Sequence, residues 1–192
     1  MPPKIKVTKN DIVETAIDLL RKDGQESINA RSIASALGCS TQPIFSNFAT
    51  MEELQEVVLY AAYERYLGFI KKEVESGKYP QYKAFGMAYI RFAKEERELF
   101  KLLFMRDRTG EEISTSLDFE ESIQMIMKSN GVSADVAKLM HTEMWVWVHG
   151  IGTILATSFL ELEWDIISDM LTDVYQGIRA RHLSKEKNNE RD

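Results

Sequence analysis

The chain has 192 residues and a mass of 22.1 kDa, with 44% hydrophobic and 28% charged residues. These ordinary values exclude a collagen-like or wholly disordered chain. A net charge of −6, from 24 Lys and Arg against 30 Asp and Glu, excludes a protein whose whole surface attracts nucleic acid, although a local patch can still do so. No apolar run reaches the ~18 residues of a bilayer span.

The single cysteine, Cys39, cannot form an internal disulfide, and no cysteine-based metal site is predicted. The basic first ten residues lead into a charged amphipathic helix and not into the apolar core of a signal peptide. We therefore expect a cytoplasmic protein that does not associate with membranes.

Helical periodicity begins near the N-terminus. Apolar residues at i, i+4, i+7 and i+8 predict a first helix, which Thr8 caps and Gly24 ends. A second short helix is expected with Asn29 as its cap, and a third with Ser40 as its cap. Pro43 then falls in the first turn of the third helix, where backbone N–H groups have no helical partner. Apolar anchors for the third helix are Ile44, Phe45 and Phe48.

The remaining chain also has the helical period. Thr50 and Glu53 form a capping-box pattern that starts a helix reaching about residue 76. Further helices are predicted around residues 82–92, 99–104 and 119–128, then from Ser133 to about 160 and from about 165 to 181. No repeat of 20 to 50 residues recurs. The sequence therefore predicts an all-α protein.

One segment imitates a different fold. Trp145 to Val148, followed by Gly150-Ile151-Gly152, resembles a strand that runs into a nucleotide-binding glycine loop. A parallel sheet needs several strand–helix units, and the sequence offers no others. Met140 and Met144 lead into the segment at helical spacing, so we predict one buried helix.

Two short helices separated by Gly38-Cys39-Ser40 match a helix-turn-helix, whose second helix enters the DNA major groove. Residues 27–51 contain no Asp or Glu, and their one formal charge is Arg31. Residues 1–54 hold six bases and seven acids, with the acids outside this segment. Such a surface approaches phosphates without strong repulsion, and we expect only modest non-specific affinity.

Residues 28–48, INARSIASALGCSTQPIFSNF, resemble the signature of the tetracycline-repressor (TetR) family of bacterial regulators. The resemblance implies a dimeric, all-helical, non-enzymatic repressor with an N-terminal DNA-binding domain and a C-terminal domain for effector binding and dimerisation. We assign residues 1–54 to the first domain, with the helix-turn-helix at about 29–48, and residues 55–183 to the second. The polar tail, 184–192, is predicted to be disordered.

The resemblance also implies contacts with double-stranded DNA. Thr41 and Gln42 are the best candidates for reading bases, because an amide can bridge two positions on adenine. The start of the second helix would hold phosphate through its N–H groups and Arg31. The residues expected at DNA are Lys4, Lys6, Thr8, Asn29, Ala30, Arg31, Ser40, Thr41, Gln42, Pro43, Phe45, Ser46 and Asn47.

Three positions depart from the family pattern. The family usually has tyrosine at Phe45, often an aromatic residue at Asn47, and commonly lysine at Met51. These departures weaken expected phosphate contacts and put affinity in doubt more than fold. An αα-hairpin that serves only for packing is an alternative. Cys39 is interpreted as a small turn residue and not as a redox switch, which would need an electropositive setting.

The C-terminal half carries broad apolar stripes and a net charge of −5 from 18 bases and 23 acids over residues 55–192. A two-fold interface between protomers would bury such stripes and present two DNA-binding domains to an inverted repeat. Packing within one chain is the alternative. The residues predicted for the dimer interface are Ile151, Leu155, Phe159, Ile167, Met170, Leu171, Val174 and Ile178.

His141, Trp145 and His149 share one helical face, and the last two resemble the Trp-x-x-x-His-Gly motif of one class of C-terminal domains in the family. These side chains either line a cavity for an apolar or aromatic effector or form an ordinary core. The predicted ligand-binding residues are Phe69, Tyr89, Phe92, Phe104, Met125, His141, Met144, Trp145 and His149. A shared zinc ion is not predicted, because the two histidines are about 12 Å apart along the helix. No cofactor is predicted.

Two other functions compete with a ligand-released repressor. Adjacent glutamate pairs such as Glu95-Glu96 suggest acid–base catalysis, but neighbouring helix positions point about 100° apart, and no nucleophile elbow or phosphate loop accompanies them. The second alternative is a helical adaptor whose DNA-binding domain has lost operator binding. The weak basic charge, and Met51 where the family commonly has lysine, favour this alternative.

Overall fold

The computed structural model describes residues 7–107, 109 and 117–189, with side chains described except at 117, 118 and 185–189. All regular elements in this part of the chain are helical, which confirms the predicted all-α fold. None of these helices is long and apolar enough to cross a bilayer. The α-helices are α1 (Lys9–Asp23), α2 (Ala30–Ala36), α3 (Gln42–Asn47), α4 (Met51–Glu75), α5 (Gln81–Glu95), α6 (Arg97–Phe104), α7 (Leu117–Asn130), α8 (Ala134–Ala156) and α9 (Trp164–Asn189).

Contacts between residues divide the chain into two compact units. Unit 1 comprises Met1–Leu67 and Glu96–Arg106, and unit 2 comprises Gly68–Glu95 and Asp107–Asp192. The division falls inside the continuous helix α4, later than residue 54, and it places α6 with the N-terminal helices although the sequence grouped 99–104 with the C-terminal domain. The functional division at residue 54 stays a prediction.

Unit 1 is built around α1, which contacts α2, α3 and α6. Its fully buried side chains come from every one of these helices and from α4. Arg21 of α1 donates a hydrogen bond of 2.8 Å from Nε to Glu96, just before α6, and a second hydrogen bond from Nη2 to the same carboxylate. The largest buried side chains are Ile12, Ile17, Leu20, Ile33, Ile44, Phe48, Leu54, Leu99 and Phe100.

Most predicted helix caps are present. The Thr8 hydroxyl accepts from the Asp11 N–H at 3.1 Å, and the Asp11 carboxylate accepts from the Thr8 N–H at 2.9 Å. The Asn29 side chain accepts from the Ser32 N–H at 2.9 Å. The predicted Ser40 cap is wrong. The cap position is Thr41, whose backbone is already helical and whose side chain makes no capping bond.

Unit 2 has α8 at its centre, in contact with α5, α7 and α9. Trp145 to Val148 lie inside α8, which confirms the helix prediction over the strand alternative. The helix ends at Ala156, four residues before the predicted end, because Ser158 adopts a positive φ of 55° that a helix cannot contain.

The last helix is longer than predicted. α9 begins at Trp164 and continues to Asn189, so residues 184–189 extend the helix where the sequence predicts a disordered tail. Lysine and glutamate are good helix formers, and an existing helix needs only propagation and no new nucleus. The start of α9 is tied to α5 by Arg91, whose guanidinium carbon lies 4.3 Å from the Trp164 ring centroid.

Candidate nucleic-acid interface

The turn between α2 and α3 has the geometry of a helix-turn-helix. Gly38 has a φ of +64°, a left-handed conformation that glycine adopts without a steric penalty. The Cys39 N–H donates to the Ala34 carbonyl at 3.0 Å, and the Gly38 N–H donates to the Ser35 carbonyl at 3.1 Å. Cys39 is half-buried in this turn. The turn therefore holds α3 in a defined direction relative to α2.

Two buried side chains, one in α3 and one directly after it, pack α3 against the rest of unit 1. Ile44 and Phe48, four positions apart, are each 1% exposed. Phe45 is 51% exposed, so the prediction that it anchors the helix is wrong. The reason is geometric, because a position next to Ile44 points about 100° away from it on a helix. The Phe45 ring instead lies on the solvent side of α3.

The solvent side of α3, which we call the α3 face, consists of Gln42, Phe45 and Ser46, all exposed. Ser40 is also exposed, in the turn, whereas Thr41, Pro43 and Asn47 are half-buried. These residues were predicted at DNA from sequence, and the structure brings them together around one short helix.

Two polar side chains of α3 bond to the helix's own carbonyls. The Ser46 hydroxyl donates to the Gln42 carbonyl at 2.9 Å, and the Asn47 amide donates to the Pro43 carbonyl at 2.8 Å. The Gln42 amide makes no such bond to any described residue. Gln42 therefore offers its full set of amide donors and acceptors to an external partner.

The N-terminus of α2 lies beside this turn. The side-chain oxygen of Asn29 accepts the capping bond, and the side-chain NH₂ of Asn29 donates to the backbone carbonyl of Glu26 at 3.3 Å. Ala30 is half-buried. Arg31 is exposed and makes no ion pair with a described residue. Arg31 is thus the one side chain of the acid-free segment that carries an accessible positive charge.

At the beginning of the described chain, a capping box and an ion pair occupy polar side chains. Lys4 and Lys6 lie outside the described residues. The Thr8 hydroxyl is occupied by its capping box. The Lys9 ammonium lies 3.3 Å from the Glu53 carboxylate and 4.8 Å from the centroid of the Phe48 ring, so it links α1 to α4. Sequence spacing gives no sign of this pair, whose members are 44 positions apart.

The acids that follow the acid-free segment, Glu52 and Glu53, lie in the first turn of α4. The Glu53 carboxylate accepts from the Ala49 N–H at 2.6 Å, and this bond, together with Lys9, lowers the pKa of Glu53. The Glu53 N–H donates to the Thr50 hydroxyl at 3.2 Å, which is one of the two bonds of the predicted capping box, whereas the Glu53 carboxylate accepts from Ala49 and not from Thr50. The Glu53 carboxylate thus accepts a backbone N–H at the start of α4. Neither of these acids belongs to the α3 face.

The predicted effector site lies in unit 2 around two tyrosine–histidine pairs. The Tyr89 hydroxyl lies 2.8 Å from Nδ1 of His149, and the Tyr82 hydroxyl lies 3.0 Å from Nδ1 of His141. The Trp145 ring stacks on His149, with centroids 4.8 Å apart and planes 9° apart. Burial lowers the pKa of His149 and raises that of Tyr82.

Most of the other predicted ligand-binding residues pack in the same unit. Tyr89, Phe92 and Met144 are buried, Phe69 packs edge-on against Phe92 at 5.3 Å, and Met125 is half-buried. Phe104 is an exception, because it belongs to unit 1. There its ring lies 5.3 Å from the rings of both Tyr66 and Phe100. Phe104 thus packs among aromatic rings of unit 1, and its role in an effector site stays a prediction.

The predicted dimer interface contains many residues that the chain itself covers. Ile151, Leu155, Ile167, Leu171 and Ile178 are all less than 9% exposed in the single chain. They form the core of unit 2, because α8 and α9 turn these positions towards each other and towards α5. These five residues are therefore not accessible to a partner in the single chain, which corrects their assignment to an exposed interface.

Other apolar residues of unit 2 are accessible. Phe159 is 83% exposed, while Met170 and Val174 are half-buried. Further exposed apolar side chains were not predicted at the interface, since periodicity shows that a stripe exists but not which stripe faces inward. Those residues are Leu139, Trp145, Val146, Trp147, Leu160 and Ile166.

Comparisons with known proteins place this architecture among solved structures. A TetR-like transcriptional regulator from Rhodococcus sp. RHA1 superposes with a TM-score of 0.63 at 14% identity, covering 96% of this chain and 98% of that one. A protein of unknown function from the same organism superposes with a TM-score of 0.63 at 17% identity, covering 93% and 96%. No protein-family model and no curated protein sequence matches. The shared property is the TetR-like fold along nearly the whole chain.

Proposed function

We propose that the protein is a non-enzymatic transcriptional regulator of the TetR type, which binds an inverted repeat in double-stranded DNA as a homodimer. The observation that carries the proposal is the exposed α3 face behind a glycine turn, in a segment without any carboxylate. In a helix-turn-helix this is the helix that enters the major groove. The TetR-like fold supports the same assignment.

The DNA contacts divide into base-reading and positioning groups. Thr41 and Gln42, at the start of α3, are proposed to read base edges, with the Gln42 amide bridging two positions on adenine. Ser46 and Asn47 would exchange their carbonyl bonds for phosphate or base contacts. Arg31 and the neighbouring backbone N–H groups of α2 would hold phosphate. Since Arg31 is the only charged residue among the described residues predicted at DNA, specific contacts are proposed to supply much of the affinity.

A homodimer is proposed because one six-residue α3 reads too few bases for useful specificity. Phe159 is the predicted interface residue that remains most accessible, and α8 carries further exposed apolar side chains, among them Val146 and Trp147. Apolar surface of this kind on a soluble protein is typical of an interaction site. Two copies related by a two-fold axis would match an inverted repeat.

We also propose that a small apolar or aromatic molecule releases the protein from DNA, which makes it a repressor, and that it acts in the cytoplasm. The cluster of Trp145, His149 and Tyr89 in unit 2 supports this step, since it combines aromatic faces with a few polar atoms. Membership of the Trp-His-Gly class of C-terminal domains stays a prediction.

A helical adaptor that has lost operator binding is the second candidate. Phe45 and Met51 lack the groups that would contact phosphate, and the Lys9 ammonium is already paired with Glu53. These three features leave the surface that would face DNA with less positive charge and fewer hydrogen-bond donors.

A salt-titrated gel shift with DNA from upstream of the coding region separates the candidates. A regulator forms a complex with one duplex that survives excess unrelated DNA, and scrambling either half of its inverted repeat abolishes that complex. An adaptor shows either no binding or binding that vanishes equally for all duplexes as salt rises.

A further inference from the structure

We propose that Phe45 determines operator specificity by contacting the 5-methyl group of one thymine in each half-site. This inference deepens the proposed function and rests on it. It assigns an apolar role to a position where the TetR signature usually has tyrosine, and it predicts a feature of the unknown operator.

The Phe45 ring is exposed to solvent on the α3 face. Phe45 is 51% exposed, and it is the only exposed large hydrophobic residue of the acid-free segment, residues 27–51, all of which the structure describes. Ile44 and Phe48, both 1% exposed, fix the rotation of α3 and so direct the Phe45 ring towards solvent. The ring is therefore presented by a rigid element.

The chemistry of the phenyl ring favours a thymine edge over the other bases. A phenyl ring has no hydrogen-bond donor or acceptor, so it cannot bond a phosphate as a tyrosine hydroxyl can. In the major groove, guanine, cytosine and adenine present hydrogen-bonding groups, whereas thymine adds an apolar methyl group. Desolvating a donor or acceptor with a phenyl ring is unfavourable, while covering a methyl group is favourable. Thymine is thus the base whose edge suits this side chain.

Gln42 lies beside Phe45 on the same helix. Gln42 and Phe45 are three residues apart on the α3 face and both are exposed. Three residues advance about 4.5 Å along a helix, close to the ~3.4 Å step between base pairs. With the Gln42 amide suited to adenine, the two side chains fit adjacent base pairs. We therefore expect each half-site to contain two adjacent A·T base pairs where Gln42 and Phe45 contact it.

The test replaces each thymine of the bound duplex by deoxyuridine, one position at a time, which removes only the methyl group. Affinity is measured by fluorescence anisotropy with the full-length protein. For the wild type we expect about fourfold weaker binding at one position in each half-site, and about 15-fold when both half-sites are altered, as one buried methyl group predicts. All other thymines should be insensitive.

The variants identify the residue responsible. Phe45→Ala should bind the thymine and deoxyuridine duplexes with equal affinity at that position, whereas Phe45→Tyr, which keeps the ring, should still distinguish them. Tyr60→Ala is the matched control, since Tyr60 is an aromatic residue of unit 1 that is 64% exposed and lies on α4. It should retain the wild-type sensitivity.

The outcomes separate the inference from the function on which it rests. Sequence-specific binding that is insensitive to deoxyuridine at every position overturns the role of Phe45 and leaves the regulator intact. That role is likewise overturned if Phe45→Ala keeps the full sensitivity. If no duplex is bound specifically by the wild type, the proposed function and the inference fail together.

Discussion

The Tyr89 hydroxyl and Nδ1 of His149 lie 2.8 Å apart, and this hydrogen bond joins α5 to α8 at positions 60 residues apart in the chain. The imidazole is also stacked on Trp145. Burial lowers the pKa of His149 below its ordinary value of 6.5, because desolvation disfavours the charged ring. The neutral imidazole can accept the tyrosine hydroxyl, whereas the protonated ring would present an N–H to it.

His149 should make the stability of the protein depend on pH. Its pKa is lower in the folded state than in the unfolded state, so unfolded chains bind the proton more readily as pH falls below about 6.5. Stability present above that pH is then lost towards pH 5. We expect His149→Gln, which keeps a hydrogen-bonding group for Tyr89, to show a smaller decrease in Tm between pH 7 and 5 than the wild type. Parallel Tm–pH curves would contradict this account.

Phe159 should be required for association of protomers. Replacing this 83% exposed side chain by glutamate puts a charge into the proposed interface, where burying it is strongly unfavourable. Sedimentation velocity should show a dimer for the wild type and a monomer for Phe159→Glu. Tyr60→Glu is the matched control, because it adds the same charge at an exposed aromatic residue of unit 1, and it should stay dimeric. A dimeric Phe159→Glu protein would place the interface elsewhere.

Gln42 should contribute to sequence discrimination. We expect Gln42→Ala to weaken operator binding by about 1 to 3 kcal/mol, the value of a bidentate amide–base contact, and to leave binding to unrelated DNA unchanged. Gln124→Ala is the control, since Gln124 is an exposed glutamine of α7 whose amide bonds to Glu120. Anisotropy titrations with both DNA types measure the effect. Equal weakening on both would show that Gln42 contacts only the DNA backbone.

Arg91 should stabilise unit 2 more than a surface ion pair does. Its Nε donates to Glu73 at 3.0 Å, the Glu73 side chain is 8% exposed, and the guanidinium also stacks on Trp164. Arg91→Ala leaves a buried carboxylate without its partner, and we expect a loss of about 2 to 4 kcal/mol in the free energy of unfolding.

Lys71→Ala is the comparison for that loss. Lys71 pairs with Glu75 at 3.9 Å on the same helix, with both side chains largely exposed, and its removal should cost less than about 0.5 kcal/mol. Urea unfolding gives both values. Similar effects for the two variants would mean that the Arg91 cluster adds nothing beyond surface charge.

Local chemistry accounts for what the sequence predicted well. The caps at Thr8, Asn29 and Ser133 each involve a hydrogen bond between residues three positions apart, so the pattern and the structure cover the same short segment. Helix periods and the glycine turn at Gly38 are likewise local. Ser40 shows the limit of this approach, because any of several polar residues before Pro43 fits the cap pattern.

Long-range packing accounts for what the sequence could not predict. The Lys9–Glu53 and Tyr89–His149 contacts join residues 44 and 60 positions apart, and no spacing rule reports them. Ile151 lies on an apolar stripe that suits a partner chain and a core equally well. Only the arrangement of α5, α8 and α9 decides between the two.

The most direct test of the account is a hydroxyl-radical footprint of the wild-type protein on DNA from upstream of its coding region. Two copies of α3 in successive major grooves predict two protected half-sites of inverted sequence, with centres one helical turn, about 34 to 36 Å, or a multiple of it apart. Uniform protection without half-sites, or no protection at concentrations where the protein is folded, would contradict the central claim.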